Sequence, residues 1–247
     1  MEWFARDFDR PEYFDIYRNK EAEARDEGPA LAAILALPPG ALVLDLPCGW
    51  GRLDPYLRAL GHKVVGGDLS QRNLQRRSAE NPGHAARLDF RRLPFRSDCA
   101  EGVLCAYTSW GYFASEAENQ RQLSEFARVL EPGGVLVLDL AGRGFLEKAI
   151  GLAPGGWYEV EEGGIRYRER VRWAPDKRRV LTDRAYRGTR FRHDIWIPSD
   201  GEVRAALRQA GFRLDQAWGG LRGEPWEPFA ERWIYRAIKD SSASAAL

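Results

Sequence analysis

Short apolar runs alternate with stretches of helical periodicity between residues 41 and 141. The runs are rich in branched residues and end at polar or turn residues, which is typical of strands buried on both faces of a sheet. The predicted strands are Ala41–Leu44, Val64–Asp68, Ala85–Phe90, Gly102–Ala106 and Val135–Leu140. The predicted helices are Arg52–Leu60, Ser70–Glu80 and Ser115–Leu130. Because strands and helices alternate, we expect an α/β fold with a doubly wound, mostly parallel sheet.

The pattern changes after residue 141, where apolar and polar residues begin to alternate with a period of two. Such alternation predicts antiparallel strands, and turn residues separate four of them. These strands are Trp157–Glu161, Ile165–Trp173, Arg178–Arg187 and Thr189–Ile197. A helix follows to Gln209, capped by Ser199 or Asp200, and then a closing strand pair, Phe212–Trp218 and Arg232–Ile238. Residues 41–141 and 199–239 therefore form the predicted main domain. Residues 142–198 form an inserted antiparallel β meander, either a substrate cap or a dimer interface.

The N-terminal segment, residues 1–40, is rich in aromatic and charged residues. Pro11 can occupy the first turn of a helix that presents Tyr13, Ile16 and Tyr17 on one side. A second short helix over Gly28–Leu37 leads to the first strand of the main domain. Two interpretations remain open. The aromatic residues dock the segment on the core, or the segment is a helical lid that closes over a ligand.

Composition narrows the possible partners. The chain has 37 basic and 36 acidic residues, so its charge indicates neither nucleic acid nor an anionic membrane as a partner. Its three cysteines lack the spacing of a zinc site and are too few for a disulfide framework. The first residues do not resemble a signal peptide, and no apolar run is long enough to span a membrane. We expect a cytoplasmic protein with no bound metal.

The stretch Ala41–Arg52 carries the candidate chemistry. A strand ends in Asp45, a turn holds Gly49 and Gly51, and a helix follows. Glycines in such a turn let the backbone approach a ligand, and the helix N-terminus offers free N–H groups. A dinucleotide fold would place a third glycine where this chain has Asp54, which would repel a pyrophosphate. Asp45 is suited instead to a cation, such as the amino group of a methionine moiety. Asp68, about twenty residues further on, ends the second strand and can accept both hydroxyls of a ribose.

Two more polar positions follow later strands. Asp89 and Phe90 end the third strand, where an acid can accept a hydrogen bond from an adenine amine and a ring can pack on the base. Tyr107 and Thr108 follow the fourth strand. Ligands of open α/β sheets lie beyond the carboxyl ends of the strands. All of these residues are therefore expected near one site.

The motifs resemble those of class I S-adenosylmethionine-dependent methyltransferases, and specifically a bacterial branch that acts on small molecules and carries a β insertion after strand five. The resemblance covers most of the chain. It rests on the segments Pro11–Tyr17, Asp45–Arg52, Gly67–Ser70, Leu93–Phe95, Thr108–Phe113 and Leu130–Gly134. One departure is Cys105 at the end of strand four, where relatives often carry Asn or Asp. The Asn-Pro-Pro-Tyr motif of enzymes that methylate nucleic-acid amines is absent, which also disfavours a nucleic-acid substrate.

The resemblance implies a seven-stranded, Rossmann-like sheet whose last strand is antiparallel, and S-adenosylmethionine as the cofactor. It implies that the chain is a methyltransferase acting on N or O of a small molecule, as a monomer or homodimer. The expected cofactor contacts are Tyr17, Asp45, Leu46, Cys48, Gly49, Gly51, Asp68, Leu69, Asp89, Phe90, Tyr107 and Thr108. The expected substrate contacts are Tyr13, Tyr112, His193 and Trp196.

Methyl transfer from a sulfonium needs mainly positioning and desolvation, and it needs a general base only if the nucleophile must lose a proton. The candidate bases are His193, Tyr112 and Asp139. Two alternatives remain at this point. One is a nucleotide-dependent oxidoreductase, which Asp54 disfavours. The other is a non-catalytic cofactor-binding dimer in which the insertion is the interface.

Overall fold

The fold is built on a seven-stranded sheet with both faces covered. The computed structural model describes residues 2–152 and 155–241. The strands are β1 Leu42–Asp45, β2 Lys63–Asp68, β3 His84–Arg87, β4 Ala100–Cys105, β5 Leu130–Ala141, β10 Phe212–Trp218 and β11 Arg232–Lys239. Their spatial order is β10-β11-β5-β4-β1-β2-β3. The first five strands pair in parallel, while β11 is antiparallel to both of its neighbours. The predicted fold class is confirmed.

Helices connect the strands and cover the sheet. They are α1 Trp3–Asp7, α2 Pro11–Ile16, α3 Lys20–Ile34, α4 Asp54–Ala59, α5 Gln71–Glu80, α6 Glu116–Val129, α7 Arg143–Leu152 and α8 Asp200–Gln209. Ser70, Ser115 and Ser199 precede α5, α6 and α8, and each hydroxyl accepts a hydrogen bond from a backbone N–H of the first turn. These caps fix where the three helices begin. Within the described residues, no helix is long and apolar enough to cross a membrane.

The inserted segment begins with a helix rather than with a strand. Helix α7 precedes the meander, and the sequence pattern did not predict it. The four strands then follow as β6 Tyr158–Glu162, β7 Ile165–Trp173, β8 Arg179–Tyr186 and β9 Thr189–Trp196, all antiparallel. We call this four-stranded sheet the cap.

The N-terminal segment contains three helices, and α3 is longer than the predicted Gly28–Leu37 helix. The helix continues through Gly28 and Pro29, which sequence reasoning treats as a boundary. A Cβ at Gly28 would lie 2.2 Å from the ring of Tyr56 on α4, so the glycine lets the two helices pack closely. Close packing thus outweighs the weak helix propensity of this position.

The N-terminal helices pack against the cap. A small apolar cluster joins Ile16 to Tyr167, Tyr186 and Phe191 of the cap strands. Polar contacts add to it: the Tyr17 hydroxyl accepts a hydrogen bond from Arg184 at 2.7 Å. The segment and the cap therefore meet above the carboxyl edge of the main sheet.

Candidate functional site

A cavity of about 800 Å³ lies beyond the carboxyl ends of β1, β2, β4 and β5. Helices α1 to α3 and strand β9 roof it. Ten of the twelve expected cofactor residues line this cavity, namely Tyr17, Asp45, Cys48, Gly49, Asp68, Leu69, Asp89, Phe90, Tyr107 and Thr108. Tyr13, Tyr112 and His193 of the expected substrate set line it as well. The sheet topology brings these residues together, and their binding roles remain predictions.

Asp45 lies at the carboxyl end of β1 and is 1% exposed. Its Oδ1 atom has no hydrogen-bond partner within the described residues. Burial and the nearby Asp54 carboxylate raise the pKa of Asp45 well above its usual range. A buried carboxylate without a partner is costly, so this position fits a cationic group of a ligand.

Gly49 forms the floor of the cavity next to Asp45. Its φ of +53° favours glycine, and a Cβ built on it would meet no atom within 4 Å. A side chain here would project into open space that a ligand can use. Gly49 is therefore the glycine of this turn whose missing side chain leaves room in the cavity.

Asp68 ends β2 and is held by the backbone on two sides. Its Oδ2 accepts a hydrogen bond from the Gly49 N–H at 2.9 Å, and its Oδ1 accepts one from the Ser70 N–H at 2.8 Å. Burial raises the pKa of Asp68 to about 6, against the opposing effect of these hydrogen bonds. Each carboxylate oxygen keeps a further acceptor position, which suits a pair of hydroxyl groups.

Gly51 has a different role from the one expected. It does not line the cavity. A Cβ on Gly51 would lie 2.8 Å from Cγ of Arg77 and 3.0 Å from Oδ2 of Asp54. Arg77 and Asp54 form a buried ion pair at 2.6 Å beneath the turn. Gly51 thus makes room for this ion pair, and Asp54, at the position where a dinucleotide fold has its third glycine, holds a structural arginine.

The far end of the cavity is formed by Leu69, Asp89 and Phe90. The Asp89 carboxylate already accepts hydrogen bonds from Arg91, the shortest at 2.6 Å. Although burial opposes ionisation, the hydrogen bonds from Arg91 keep the pKa of Asp89 below its usual value. Asp89 is therefore an ionised acceptor beside the apolar ring of Phe90.

The chain after β4 adopts an unusual backbone. Tyr107 and Thr108 have φ angles of +58° and +57°, a left-handed conformation that costs energy in residues other than glycine. Asp139 of β5 holds both residues. Its carboxylate accepts from the Tyr107 N–H and its carbonyl accepts from the Thr108 N–H, each at 2.8 Å. Arg232 of β11 donates to the Asp139 carboxylate at 2.7 Å and pairs with Glu27 of α3 at 2.7 Å.

Aromatic rings surround His193, which lies on β9 at the side of the cavity covered by the N-terminal helices. The imidazole is 6% exposed and lies 4.9 Å from the ring of Trp3, with Tyr17 stacked at 6.2 Å. Its Nδ1 lies 3.3 Å from Nη1 of Arg184, while its Nε2 has no partner within the described residues. Burial, with the Arg184 charge, lowers the pKa of His193 well below its usual range. Burial also raises the pKa of the Tyr112 phenol.

Two further expected site residues, Leu46 and Trp196, do not line the cavity. Leu46 is fully buried, and its side chain packs where a Cβ on Gly67 would meet it at 2.5 Å. Trp196, expected at the substrate site, lies in the core instead. Its ring packs edge-on against Trp110 at 5.2 Å, and its backbone N–H donates to the Gly111 carbonyl at 2.9 Å. Trp196 therefore packs the cap against the loop after β4.

Sequence reasoning missed several cavity residues. Phe8, Glu27, Arg52 and Arg232 all line the cavity. Arg52 directly follows the glycine turn, and this position was the one feature of the sequence that could have indicated a cavity residue. The other three come from separate elements that only the tertiary fold brings together. Among the described residues, no group of three or more His, Cys, Asp or Glu side chains could hold a metal ion.

Residues 44–138 match the family model of a methyltransferase domain. In its fold and in this match, the chain is similar to class I S-adenosylmethionine-dependent methyltransferases. The unpartnered Asp45, the open space at Gly49 and the acceptor positions of Asp68 fit this cofactor. The matched domain and the place of Asp54 both argue against the oxidoreductase alternative.

Two curated relatives match parts of this chain. It is 38% identical over 103 residues to the demethylmenaquinone methyltransferase of Thermus thermophilus, covering 39% of this chain and 45% of that protein. It is 31% identical over 112 residues to the S-adenosyl-L-methionine-dependent Diels-Alderase iccD of Talaromyces variabilis, covering 42% of this chain and 37% of that protein. The chain thus spans less than half the length of these relatives.

Solved structures share the whole fold. A S-adenosylmethionine-dependent methyltransferase from Clostridium acetobutylicum superposes with a TM-score of 0.78 at 17% identity, covering 93% of this chain and 98% of that one. CalS10, an amino pentose methyltransferase from Micromonospora echinaspora, superposes with a TM-score of 0.65 at 23% identity, covering 92% and 96%. At these identities the likeness establishes the fold.

Proposed function

We propose that the protein transfers a methyl group from S-adenosylmethionine to the nitrogen of a small-molecule amine. The observation that carries the choice of nitrogen is the contact between Arg184 and His193. A guanidinium can only donate, so Nδ1 of His193 must accept and the proton of the neutral imidazole sits on Nε2. His193 then offers the cavity a hydrogen-bond donor rather than a base.

The other two candidate bases are no better suited. Burial raises the pKa of Tyr112, so its phenol stays protonated at neutral pH. Asp139 receives two hydrogen bonds from Arg232 and one from a backbone N–H, which occupy its carboxylate. An alcohol would need a base to assist its attack, whereas a neutral amine attacks with its own lone pair. This comparison favours an amine as the methyl acceptor.

The residues that would hold the cofactor are those that line the cavity at the strand ends. S-adenosylmethionine would supply a methyl group that is already activated on a sulfonium. Asp45 would bind the cationic end, Asp68 the ribose hydroxyls, and Asp89 and Phe90 the adenine. The aromatic roof of Phe8, Tyr13, Tyr17 and Tyr112 would exclude water from the reacting groups.

The size of the cavity also supports a small acceptor. Its volume of about 800 Å³ must hold both the cofactor and the acceptor, and helices and cap strands roof it. A nearly neutral chain, with a net charge of +1, offers no general attraction for nucleic acid. We infer a cytoplasmic enzyme that acts as a monomer or homodimer, with the cap above the substrate. A sizing column distinguishes the two oligomeric states.

The relatives alone do not decide the reaction, since one of them is named as a Diels-Alderase. The test is therefore a methylation assay with matched pairs of small amines and alcohols that share a carbon skeleton. Formation of S-adenosylhomocysteine with the amines but not with the alcohols would support the proposal. The rate should also rise with pH as the substrate amine loses its proton. Methylation of the alcohols instead would contradict it.

A further inference from the structure

Arg52 presents a positive charge to the cavity without a carboxylate partner in the described residues. Its guanidinium lies between two rings, 4.7 Å from Trp50 and 4.6 Å from Tyr107. Its side chain donates one hydrogen bond, to the Lys20 carbonyl at 3.2 Å. A guanidinium has five N–H donors, so most of them remain available to a ligand.

The Tyr107 ring packs against this arginine, and its own backbone is held by a hydrogen bond. Asp139 fixes its left-handed backbone, as described above, and the ring then lies against the Arg52 guanidinium. The buried Tyr107 hydroxyl has no hydrogen-bond partner within the described residues. A second guanidinium, that of Arg232, lies 5.3 Å from the same ring. The phenol thus offers a further unused donor on the Arg52 side of the cavity.

Asp45 is an acid on the same cavity wall, and a cationic group bound beside it favours its ionised form. Its Oδ1 is unpartnered, and Arg52 is near enough to stabilise the ionised Asp45 carboxylate electrostatically. Together the two residues match a ligand group that carries both an ammonium and a carboxylate. A phosphate would satisfy Arg52 but would be repelled by Asp45.

We propose that Arg52, supported by Trp50 and Tyr107, binds the α-carboxylate of the cofactor while Asp45 binds its α-ammonium group. This inference rests on the proposed function, because it assumes that S-adenosylmethionine occupies the cavity. The planar guanidinium pairs well with a carboxylate, and the two rings limit the entropy lost when it binds.

The binding of two ligands distinguishes a carboxylate-binding role of Arg52 from a purely structural one. S-adenosylhomocysteine has the amino-acid end, and 5′-methylthioadenosine lacks it. By calorimetry, Arg52→Gln should weaken S-adenosylhomocysteine binding about tenfold or more and change methylthioadenosine binding less than about twofold. Arg52→Lys, which keeps the charge, should recover part of the lost affinity.

Arg76→Gln is the matched control. Arg76 also lies 4.7 Å from the Trp50 ring, but it pairs with Glu21 and Glu80. This variant should bind both ligands as the wild type does. Equal losses for both ligands in Arg52→Gln, or no loss for either, would overturn the inference and leave the proposed function intact. A folded wild type that does not bind S-adenosylhomocysteine would overturn both.

Discussion

A Cβ added to Gly51 would lie 2.8 Å from Cγ of Arg77, whereas a Cβ added to Gly49 would meet nothing within 4 Å. Both glycines have a positive φ, so backbone strain on substitution affects both. The two therefore differ in their neighbours: Gly51 faces a buried ion pair and Gly49 faces the cavity.

Gly51→Ala should lower the free energy of unfolding by about 2–4 kcal/mol, because the methyl group clashes with Arg77. Gly49→Ala should cost only about 1 kcal/mol, and yet abolish the binding of S-adenosylhomocysteine. Urea unfolding and calorimetry measure the two effects. The reverse pattern, with a stable Gly51→Ala variant and ligand binding kept in Gly49→Ala, would contradict these roles.

Asp45 should release a proton when the cofactor binds. Burial and then Asp54 raise its pKa in the free protein, which favours the protonated form of the carboxyl group. A bound ammonium group lowers that pKa again, and the proton leaves. Calorimetry in two buffers of different ionisation enthalpy at about pH 7.5 measures the release, since Asp68 is ionised there. Asp45→Asn should release no proton, and an unchanged signal in that variant would exclude Asp45 as the source.

Asp68 should make binding of the nucleoside part depend on pH. Its pKa of about 6 in the free protein means that the carboxylate is protonated below that value. Hydroxyl groups that donate to the ionised form lower the pKa in the complex. Affinity should therefore fall as pH drops below about 6 and level off above it. 5′-Methylthioadenosine is the right probe, because its binding does not involve Asp45. A flat profile between about pH 5 and 8 would contradict the role of Asp68.

His193 should remain neutral, with its proton on Nε2. Burial and Arg184 lower its pKa well below the usual value, so its imidazole should stay neutral at neutral pH. The chain has three histidines, so ¹⁵N spectra of the imidazoles are simple to assign. Arg184→Met removes the donor to Nδ1 and should let the tautomer change. Titration of His193 in the wild type near its ordinary pKa would restore it as a candidate base.

The sequence predicted the strands well because apolar runs and turn residues mark them directly. The residues at the strand ends followed, since parallel strands place their carboxyl ends at one edge. The placement of Asp45, Gly49 and Asp68 at one cavity could therefore be predicted without knowing any side-chain contact. The substrate contacts expected from the alternation of apolar and polar residues along one cap strand were harder to predict. Trp196 is buried against the loop after β4, and nothing in the local pattern of β9 signals that contact.

Other features depend on tertiary packing. Helix α7 is short and contains two glycines, which lower its helix propensity. The sequence of α3 contains Gly28 and Pro29, and the close packing of Gly28 on the ring of Tyr56 is a tertiary contact that the sequence pattern does not show. The left-handed backbone of Tyr107 is stabilised by Asp139 on another strand. Residues far apart in the chain create this arrangement, which places Tyr107 against Arg52.

The most direct test of the account is a calorimetric titration of S-adenosylhomocysteine into the wild-type protein and into Asp68→Ala. We expect the wild type to bind with a micromolar dissociation constant and the variant to lose most of this affinity, because the ribose loses its acceptor. Asp68 also holds the Gly49 and Ser70 backbone, so circular dichroism must show that the variant is folded. A folded wild type that binds nicotinamide or flavin nucleotides but not S-adenosylhomocysteine would contradict the central claim.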